Sequence, residues 1–112
     1  MSSRTEVERL NDILEAISAI ESDVAGRDQD SFFQDPMAVR SVLYSFTIIG
    51  EATSNLSQET QDKSPSTPWQ NIKGIRNFIT HEYFRVKQSI VWNAIQNELP
   101  PLKNTVESIL NH

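Results

Sequence analysis

Apolar residues recur at steps of three and four along most of this chain, and this spacing restricts its fold more than any other feature. The pattern is clearest in the first segment, where they lie at Val7, Leu10, Ile13, Leu14, Ile17, Ile20 and Val24. Such a period is that of an amphipathic helix with one buried stripe. The sequence contains no sustained alternation of apolar and polar residues and no Asn-Gly or Asp-Gly hairpin turn. The chain is therefore predicted to be all-α.

Residues that start and stop helices divide the chain further. Gly26 lies where the first helix would end, and the next stretch is predicted to be a loop whose Phe32 and Phe33 pack back onto the core. Asp35 is suited to cap a second helix, which begins with a proline and runs to about Ser57. The polar stretch that follows has no periodicity and is predicted to be a linker.

A third helix is predicted to begin at Thr67, which would cap it. Gln70 would complete a capping box by reaching back to the N–H of the cap residue. A fourth apolar-periodic stretch is expected to break or kink at Pro100-Pro101 before a final helix. We expect a single domain over residues 1–112, built as an up-and-down antiparallel bundle of four to five helices.

Composition narrows the location and the chemistry of the protein. The chain has no cysteine, which excludes disulfides, thiolate catalysis and cysteine-based zinc sites. No apolar run approaches the length of about 20 residues that spans a bilayer. The first residues also lack the apolar core of a signal peptide. We therefore expect a cytoplasmic protein with no membrane partner.

The net charge of −5 at first argues against a nucleic-acid partner, because phosphate binding depends on Lys and Arg. The cations are unevenly distributed, however. Between Trp69 and Lys87 the one carboxylate is that of Glu82, and the cations are Lys73, Arg76, Arg85 and Lys87. An acidic protein with one basic segment is able to bind an anion locally. Uneven charge also arises by chance in a small protein, so both explanations stay open.

The same segment carries the polar side chains with catalytic potential. His81 is the one histidine expected inside a packed helix, since His112 is the last residue. Asn77 precedes His81 by one helical turn and is placed to hydrogen-bond its ring. Arg76 and Tyr83 lie on the adjacent line of the helix. Each of these residues also has a structural explanation, as an ion-pair partner, a surface residue or the edge of the core.

Helical geometry separates Arg76 from His81. Five residues rotate by about 140° on a straight helix, so the two side chains would not converge on one phosphate within one chain. A two-fold dimer would bring the arginine of one chain towards the histidine of the other. Metal-free cleavage of RNA also needs a base for the 2′-OH proton and an acid for the leaving oxygen, and a dimer supplies two histidines. This chemistry predicts a homodimer.

Other kinds of site find little support in the sequence. Its three glycines are isolated, so there is no glycine-rich phosphate loop. Neither His-Glu-x-x-His nor Cys-x-x-Cys spacing occurs, so we expect no metal and no cofactor. A Ser-His-Asp arrangement stays open, although no serine lies in a nucleophile elbow.

The run from Ile75 to Tyr83 resembles the Arg-x-x-x-x-His-x-Tyr signature of the HepT-like toxins, a branch of the HEPN superfamily. The similarity extends over nearly the whole chain, through segments 12–17, 49–52, 68–69, 83–84, 86, 91–92 and 99–100. The resemblance implies a homodimeric helical bundle with ribonuclease activity. It also implies a type VII toxin–antitoxin system, in which the toxin is encoded beside a minimal, MntA-like nucleotidyltransferase antitoxin.

The resemblance further implies roles for individual residues. Arg76 and His81 would form a composite nuclease site at the dimer interface, with Arg76 on the scissile phosphate and His81 as the acid–base group. Tyr83 would be the residue that the antitoxin modifies with AMP, and a bulky, anionic AMP there would block RNA. Asn77 would support the site. The candidate RNA contacts are Lys73, Arg85 and Lys87.

The chain departs from the family pattern just after the motif. Where the family commonly has Gly-Val-Asp, this sequence has Arg85-Val86-Lys87, which alters the turn and the next helix cap and adds two cations. Two other functions also stay open at this point. One is a non-catalytic helical module that binds a nucleotidyltransferase or a nucleotide, and the other is a purely structural dimer of helices.

Overall fold

The computed structural model describes residues 4–81 and 88–111, and in the helix that ends at His81 it describes side chains as far as Ile75. Over these residues the chain is helical and contains no strand. In chain order the helices are α1 (Glu6–Val24), α2 (Gln29–Phe33), α3 (Pro36–Ser54), α4 (Gln58–Asp62), α5 (Trp69–His81), α6 (Gln88–Asn93) and α7 (Leu99–Leu110), and a π-helical turn, Ala94–Glu98, joins the last two. The predicted all-α class is confirmed.

The long helices begin and end where the sequence offers caps. The Thr5 hydroxyl accepts from the backbone N–H of Glu8, and the Glu8 carboxylate accepts from the N–H of Thr5, which completes a capping box. At the start of α3, the Asp35 carboxylate accepts from the N–H groups of the second and third residues that follow it. Gly26, with a φ of 73°, follows the end of α1 in the left-handed conformation that glycine favours. These three boundaries depend on local chemistry.

Two connections that the sequence predicts to be irregular contain short helices. Asp28 and Ser31 cap each other across the first turn of α2, and the fully buried ring of Phe32 holds that turn against the core. Ser57 caps α4, so α3 ends at Ser54 and not at Ser57 as predicted. A single helical turn has no periodicity to detect, and packing against the rest of the protein stabilises it.

The start of α5 differs from its prediction. The helix begins at Trp69, and the Thr67 hydroxyl pairs with the hydroxyls of Ser64 (2.6 Å) and Thr105 (3.3 Å), so the predicted capping box is wrong. The indole of Trp69 is 7% exposed. Its N–H donates to the carbonyls of Gln61 (3.1 Å) and Ser64 (3.0 Å), the first of these in α4. A buried aromatic residue, and not a local cap, therefore fixes where this helix starts.

The double proline does not break the last helix. Pro100-Pro101 lies in the first turn of α7, where a proline N–H would have no helical partner. Immediately before it, the N–H of Leu99 donates to the carbonyl of Ala94, five residues earlier, which is the hydrogen bond of a π-helix. Of the predicted break or kink, the break is therefore wrong, because the π-helical turn runs directly into α7.

Contacts between helix ends show that α1 and α3 are antiparallel. Near the start of α1, Arg9 donates to the carbonyl of Asn55, just after α3 (3.1 Å). Near the end of α1, Asp23 accepts from the hydroxyl of Ser41, early in α3 (2.6 Å). The opposite ends of the two helices therefore meet.

The remaining long helices complete the bundle. α5 packs on α3, and α7 packs on α1 with Lys103 near its start 3.4 Å from Glu21 near the end of α1. The largest fully buried hydrophobic side chains are those of Ile13, Ile17, Ile20, Phe32, Val42, Phe46, Ile49 and Val106. Among the helices described here, none is both long and apolar enough to cross a membrane.

Glu6 links α1 to α4, and the link depends on its charge. Its carboxylate accepts from the backbone N–H of Ser57 (2.8 Å) and from the hydroxyl of Thr60 (2.6 Å). Burial raises the pKa of this carboxyl, but the hydrogen bonds from Thr60 and Ser57 together outweigh burial and hold the pKa below its ordinary value. The contribution to stability is therefore present above the unfolded pKa and is lost as pH falls through the folded pKa.

We predict that Glu6→Gln lowers the free energy of unfolding by about 1 kcal/mol at pH 7, because a neutral amide accepts these two hydrogen bonds more weakly. The variant should also lose less stability than the wild type on acidification through the range below about pH 4.3, the unfolded value for Glu. Urea unfolding across this range measures both effects. Glu107→Gln, at an exposed carboxyl of α7, is the control and should keep the wild-type pH dependence. Equal pH dependence in Glu6→Gln and the wild type would contradict the prediction.

Two glycines should respond to alanine in opposite directions. Gly74 lies inside α5, and a Cβ built there meets nothing within 4 Å, so Gly74→Ala should raise the free energy of unfolding by about 0.5–1 kcal/mol. Gly26 has a φ of 73°, so Gly26→Ala should lower it by about 1–2 kcal/mol. Urea unfolding of both variants makes the comparison. A loss of stability in Gly74→Ala would mean that the open space beside it is filled.

Candidate functional site

The residues singled out by the sequence lie on the second half of α5. Arg76, Asn77 and His81 belong to this helix, whose backbone is regular through His81, and their side chains lie outside the described part of the chain. Lys73 lies one turn earlier and is half-buried. The remaining predicted residues are outside the described residues altogether: Tyr83, Arg85 and Lys87.

The course of α5 assigns the two motif residues to different sides of the helix. Arg76 comes four residues after Ile72 and seven after Trp69, so its position continues the stripe of these residues, both 7% exposed. His81 comes seven residues after the exposed Gly74 and continues that stripe. The rotation from Arg76 to His81 along this helix is about 140°. Asn77 shares the side of His81, whereas Arg76 does not.

Two adjoining cavities border the same helix. The first has a volume of about 380 Å³, lies between α5, α3 and the segment from α6 into the π turn, and is lined by Phe46, Gly74, Ile75, Ile90 and Val91 among others. The second has a volume of about 320 Å³, lies beside the first turns of α5 and α7, and is lined by Ser66, Thr67, Asn97, Pro101 and Thr105 among others. Both are also lined by Asn71, Ile75 and Glu98, and we call the two together the α5 cleft.

The α5 cleft combines an apolar wall with polar groups at its rim. Gln70, Asn71 and Glu98 are exposed, and no other described residue is hydrogen-bonded or ion-paired to their side chains. On the wall, Ile75 is half-buried and Ile90 is 48% exposed. Apolar walls with a few converging polar groups are typical of pockets that bind small molecules or parts of larger ligands.

Sequence reasoning did not identify this cleft, although two residue types in it are unusual. Glycine is rare in a helix interior, and Gly74, which has no side chain, lines one side of the cleft. The double proline follows the π turn, and that turn supplies Asn97 and Glu98 to the cleft. Neither signal specifies a cavity without the tertiary contact between α5 and the last helical segment. Within the residues that the structure describes, no three His, Cys, Asp or Glu side chains are grouped so that they could hold a metal ion.

Comparison with known proteins identifies the family. The model of the family described as "Ribonuclease HepT-like" matches residues 13–109. A protein of Caldanaerobacter subterraneus subsp. tengcongensis, named as a candidate RNase, is 38% identical over 101 residues, which cover 90% of each chain.

Two archaeal relatives are similar over almost their whole length. A candidate RNase of Methanocaldococcus jannaschii is 29% identical over 109 residues, 97% of this chain and 100% of the relative. A protein of Thermococcus cleftensis, named as a candidate HepT ribonuclease, is 29% identical over 106 residues, which are 95% of this chain and 96% of the relative. No solved structure matches the chain. With a family match that spans most of its helices, this chain belongs to the HepT-like ribonuclease family.

Proposed function

We propose that this protein is the toxin of a toxin–antitoxin pair and acts as a metal-independent endoribonuclease. Membership of the HepT-like ribonuclease family carries this proposal. The order Arg76, His81, Tyr83 along α5 and just beyond it supplies the groups that the chemistry needs. The substrate is RNA, the working form is a homodimer, and the site of action is the cytoplasm.

The reaction divides between one cation and two imidazoles. A neutral His81 takes the proton of the RNA 2′-OH, and the resulting oxygen attacks the adjacent phosphorus. Arg76 holds the phosphate and the charge that develops on its oxygens. The bond to the 5′ oxygen breaks, and His81 of the partner subunit, in its protonated form, gives that oxygen a proton. The products are a 2′,3′-cyclic phosphate and a 5′-hydroxyl end. This route consumes no water, and His81 and Arg76 take the roles that a metal ion would otherwise fill.

The helix that carries both residues supports the proposed dimer. Because the backbone of α5 is regular through His81, Arg76 and His81 occupy positions about 140° apart around the helix axis. A two-fold axis beside α5 would place the arginine of one chain near the histidine of the other and would bring the two histidines to one shared site. Each chain then contributes half of that active site.

Other residues of the basic segment have supporting roles in this proposal. Asn77, one turn before His81, hydrogen-bonds the imidazole and fixes which nitrogen carries the proton. The cations that attract the RNA backbone are Lys73, Arg85 and Lys87. The two cations at 85 and 87, where the family pattern has glycine and aspartate, strengthen this attraction.

Tyr83 is the switch of the proposed system. The partner nucleotidyltransferase catalyses attack of the Tyr83 hydroxyl on the α-phosphorus of ATP, with release of pyrophosphate and transfer of AMP to the tyrosine oxygen. The attached nucleotide is bulky and carries a negative phosphodiester two residues from His81. Steric exclusion and like-charge repulsion then keep RNA away from the site.

We predict that the purified protein cuts RNA in the presence of EDTA and that His81→Ala lowers the rate at least about 100-fold, because general acid–base catalysis is lost. Gel analysis of a labelled single-stranded RNA measures the rate. His112→Ala, which removes the other histidine of the chain, is the matched control and should cut at the wild-type rate. Undiminished cutting by His81→Ala would remove the mechanism, and loss of wild-type cutting in EDTA would remove its metal independence.

The tyrosine switch is tested with the partner enzyme and ATP. We predict that mass spectrometry finds one AMP per chain on the wild type and on Tyr44→Phe, and none on Tyr83→Phe, since the phenol oxygen is the acceptor. Tyr44 is the matched control because it is the other tyrosine of the chain and is 68% exposed. Modified wild-type protein should no longer cut RNA. AMP attached to Tyr83→Phe would show that the acceptor lies elsewhere.

A further inference from the structure

The α5 cleft has no part in the proposed bond cleavage, and its chemistry points to a ligand. Its two cavities, about 380 Å³ and about 320 Å³, have the size of pockets that hold small molecules, about 300–1,000 Å³. Apolar side chains from α3, α5 and α6 form its wall, and the partly exposed Ile75 and Ile90 are the accessible part of that wall. An apolar surface of this kind suits the face of a flat ring.

The rim of the cleft discriminates between parts of a nucleotide. Glu98 lines both cavities, and as a carboxylate it accepts hydrogen bonds and donates none. No Lys or Arg lines either cavity among the described residues. A phosphate held against these described residues would therefore meet the like charge of Glu98. A base that bears an amino group would instead find an acceptor for that group.

The π turn places Glu98 at this point. The Leu99 N–H donates to the Ala94 carbonyl across five residues, and both Asn97 and Glu98 belong to this widened turn and line the cleft. A hydrogen bond holds the Asn97 side chain in place, because its amide donates to the side-chain oxygen of Asn93 (2.7 Å). π-helical turns inside α-helices are frequent at functional sites.

The cleft is also in register with the proposed catalytic residue. Gly74 lines the cleft, and His81 continues the stripe of Gly74 two turns later, about 10 Å along the helix axis. A base in the cleft and a phosphodiester at His81 would thus belong to neighbouring nucleotides of one strand. RNA recognition commonly uses unpaired bases that are turned out of the strand into such pockets.

We propose that the α5 cleft binds one unpaired RNA base that bears an exocyclic amino group, and that Glu98 is the residue that selects it. Adenine, cytosine and guanine satisfy Glu98, whereas uracil has no amino group to donate. Asn71, whose amide both donates and accepts, completes the edge contact. This inference rests on the proposed ribonuclease function and gives that function a substrate preference.

The test measures binding separately from cleavage. His81→Ala protein, which leaves RNA intact, is titrated into labelled uridine decamers that carry a single central adenine, cytosine, guanine or uracil, with fluorescence anisotropy as the readout. We expect the all-uridine decamer to bind about tenfold or more weakly than the others, the size of one specific base contact. Adding Glu98→Gln should reduce this difference to about threefold or less, because glutamine also donates to the carbonyl oxygens of uracil.

Adding Glu107→Gln in place of Glu98→Gln is the matched control, since it removes the same charge from an exposed site on α7 and should keep the full preference. Equal binding of all four decamers, or an unchanged preference with Glu98→Gln, would overturn the inference even if the wild type cuts RNA. Preference without any cleavage by the wild type would instead count against the proposed function alone. The remaining alternative is that the cleft is a contact between two copies of the chain. Sedimentation of the Glu98→Gln protein tests this, and a change from dimer to monomer would overturn the base site.

Discussion

The buried indole of Trp69 fixes the part of the bundle on which the candidate site depends. Its N–H donates to the carbonyls of Gln61 and Ser64, so the start of α5 is tied to α4 and the turn after it. An unpaired indole N–H would be costly in the core, and these two acceptors therefore set the rotation of α5. Every later residue of the helix takes its side from that rotation. Arg76 falls on the stripe of Trp69, and His81 falls on the stripe of Gly74.

The last helical segment makes the second contribution to this region. Prolines are expected to end helices, yet here they occupy the first turn of α7, and the preceding turn widens to a π-helix. Glu98 ends this π turn and lines the α5 cleft. The π turn that joins α6 to α7 thus also contains the carboxylate that we propose as the base-selecting group. Helix continuity and substrate preference would then have one structural cause.

The proposed mechanism and the fold agree in what they require of a single chain. A regular helix separates Arg76 from His81, and acid–base cleavage of RNA needs two proton-transfer groups, while His81 is the one internal histidine of each chain. Both constraints are met when two copies pair. In the proposed system, a shared site would also be easy to silence, because each chain carries Tyr83 two residues after His81. The net charge of −5 is no obstacle, since the cations concentrate in the segment that carries the motif.

The sequence by itself determined the helical class, the end of α1 and the start of α3, and the placement of Arg76, Asn77 and His81 on one helix. These features depend on periodicity and on caps such as Asp35, which act within a few residues. Tertiary structure decided the short helices α2 and α4, the role of Trp69 at the start of α5, the π turn before the prolines and the α5 cleft. The cleft and the packing of the short helices depend on contacts between residues far apart in the chain, as between Thr67 and Thr105, and such contacts leave no periodic signal. A single helical turn gains its stability from what covers it, which no local pattern records.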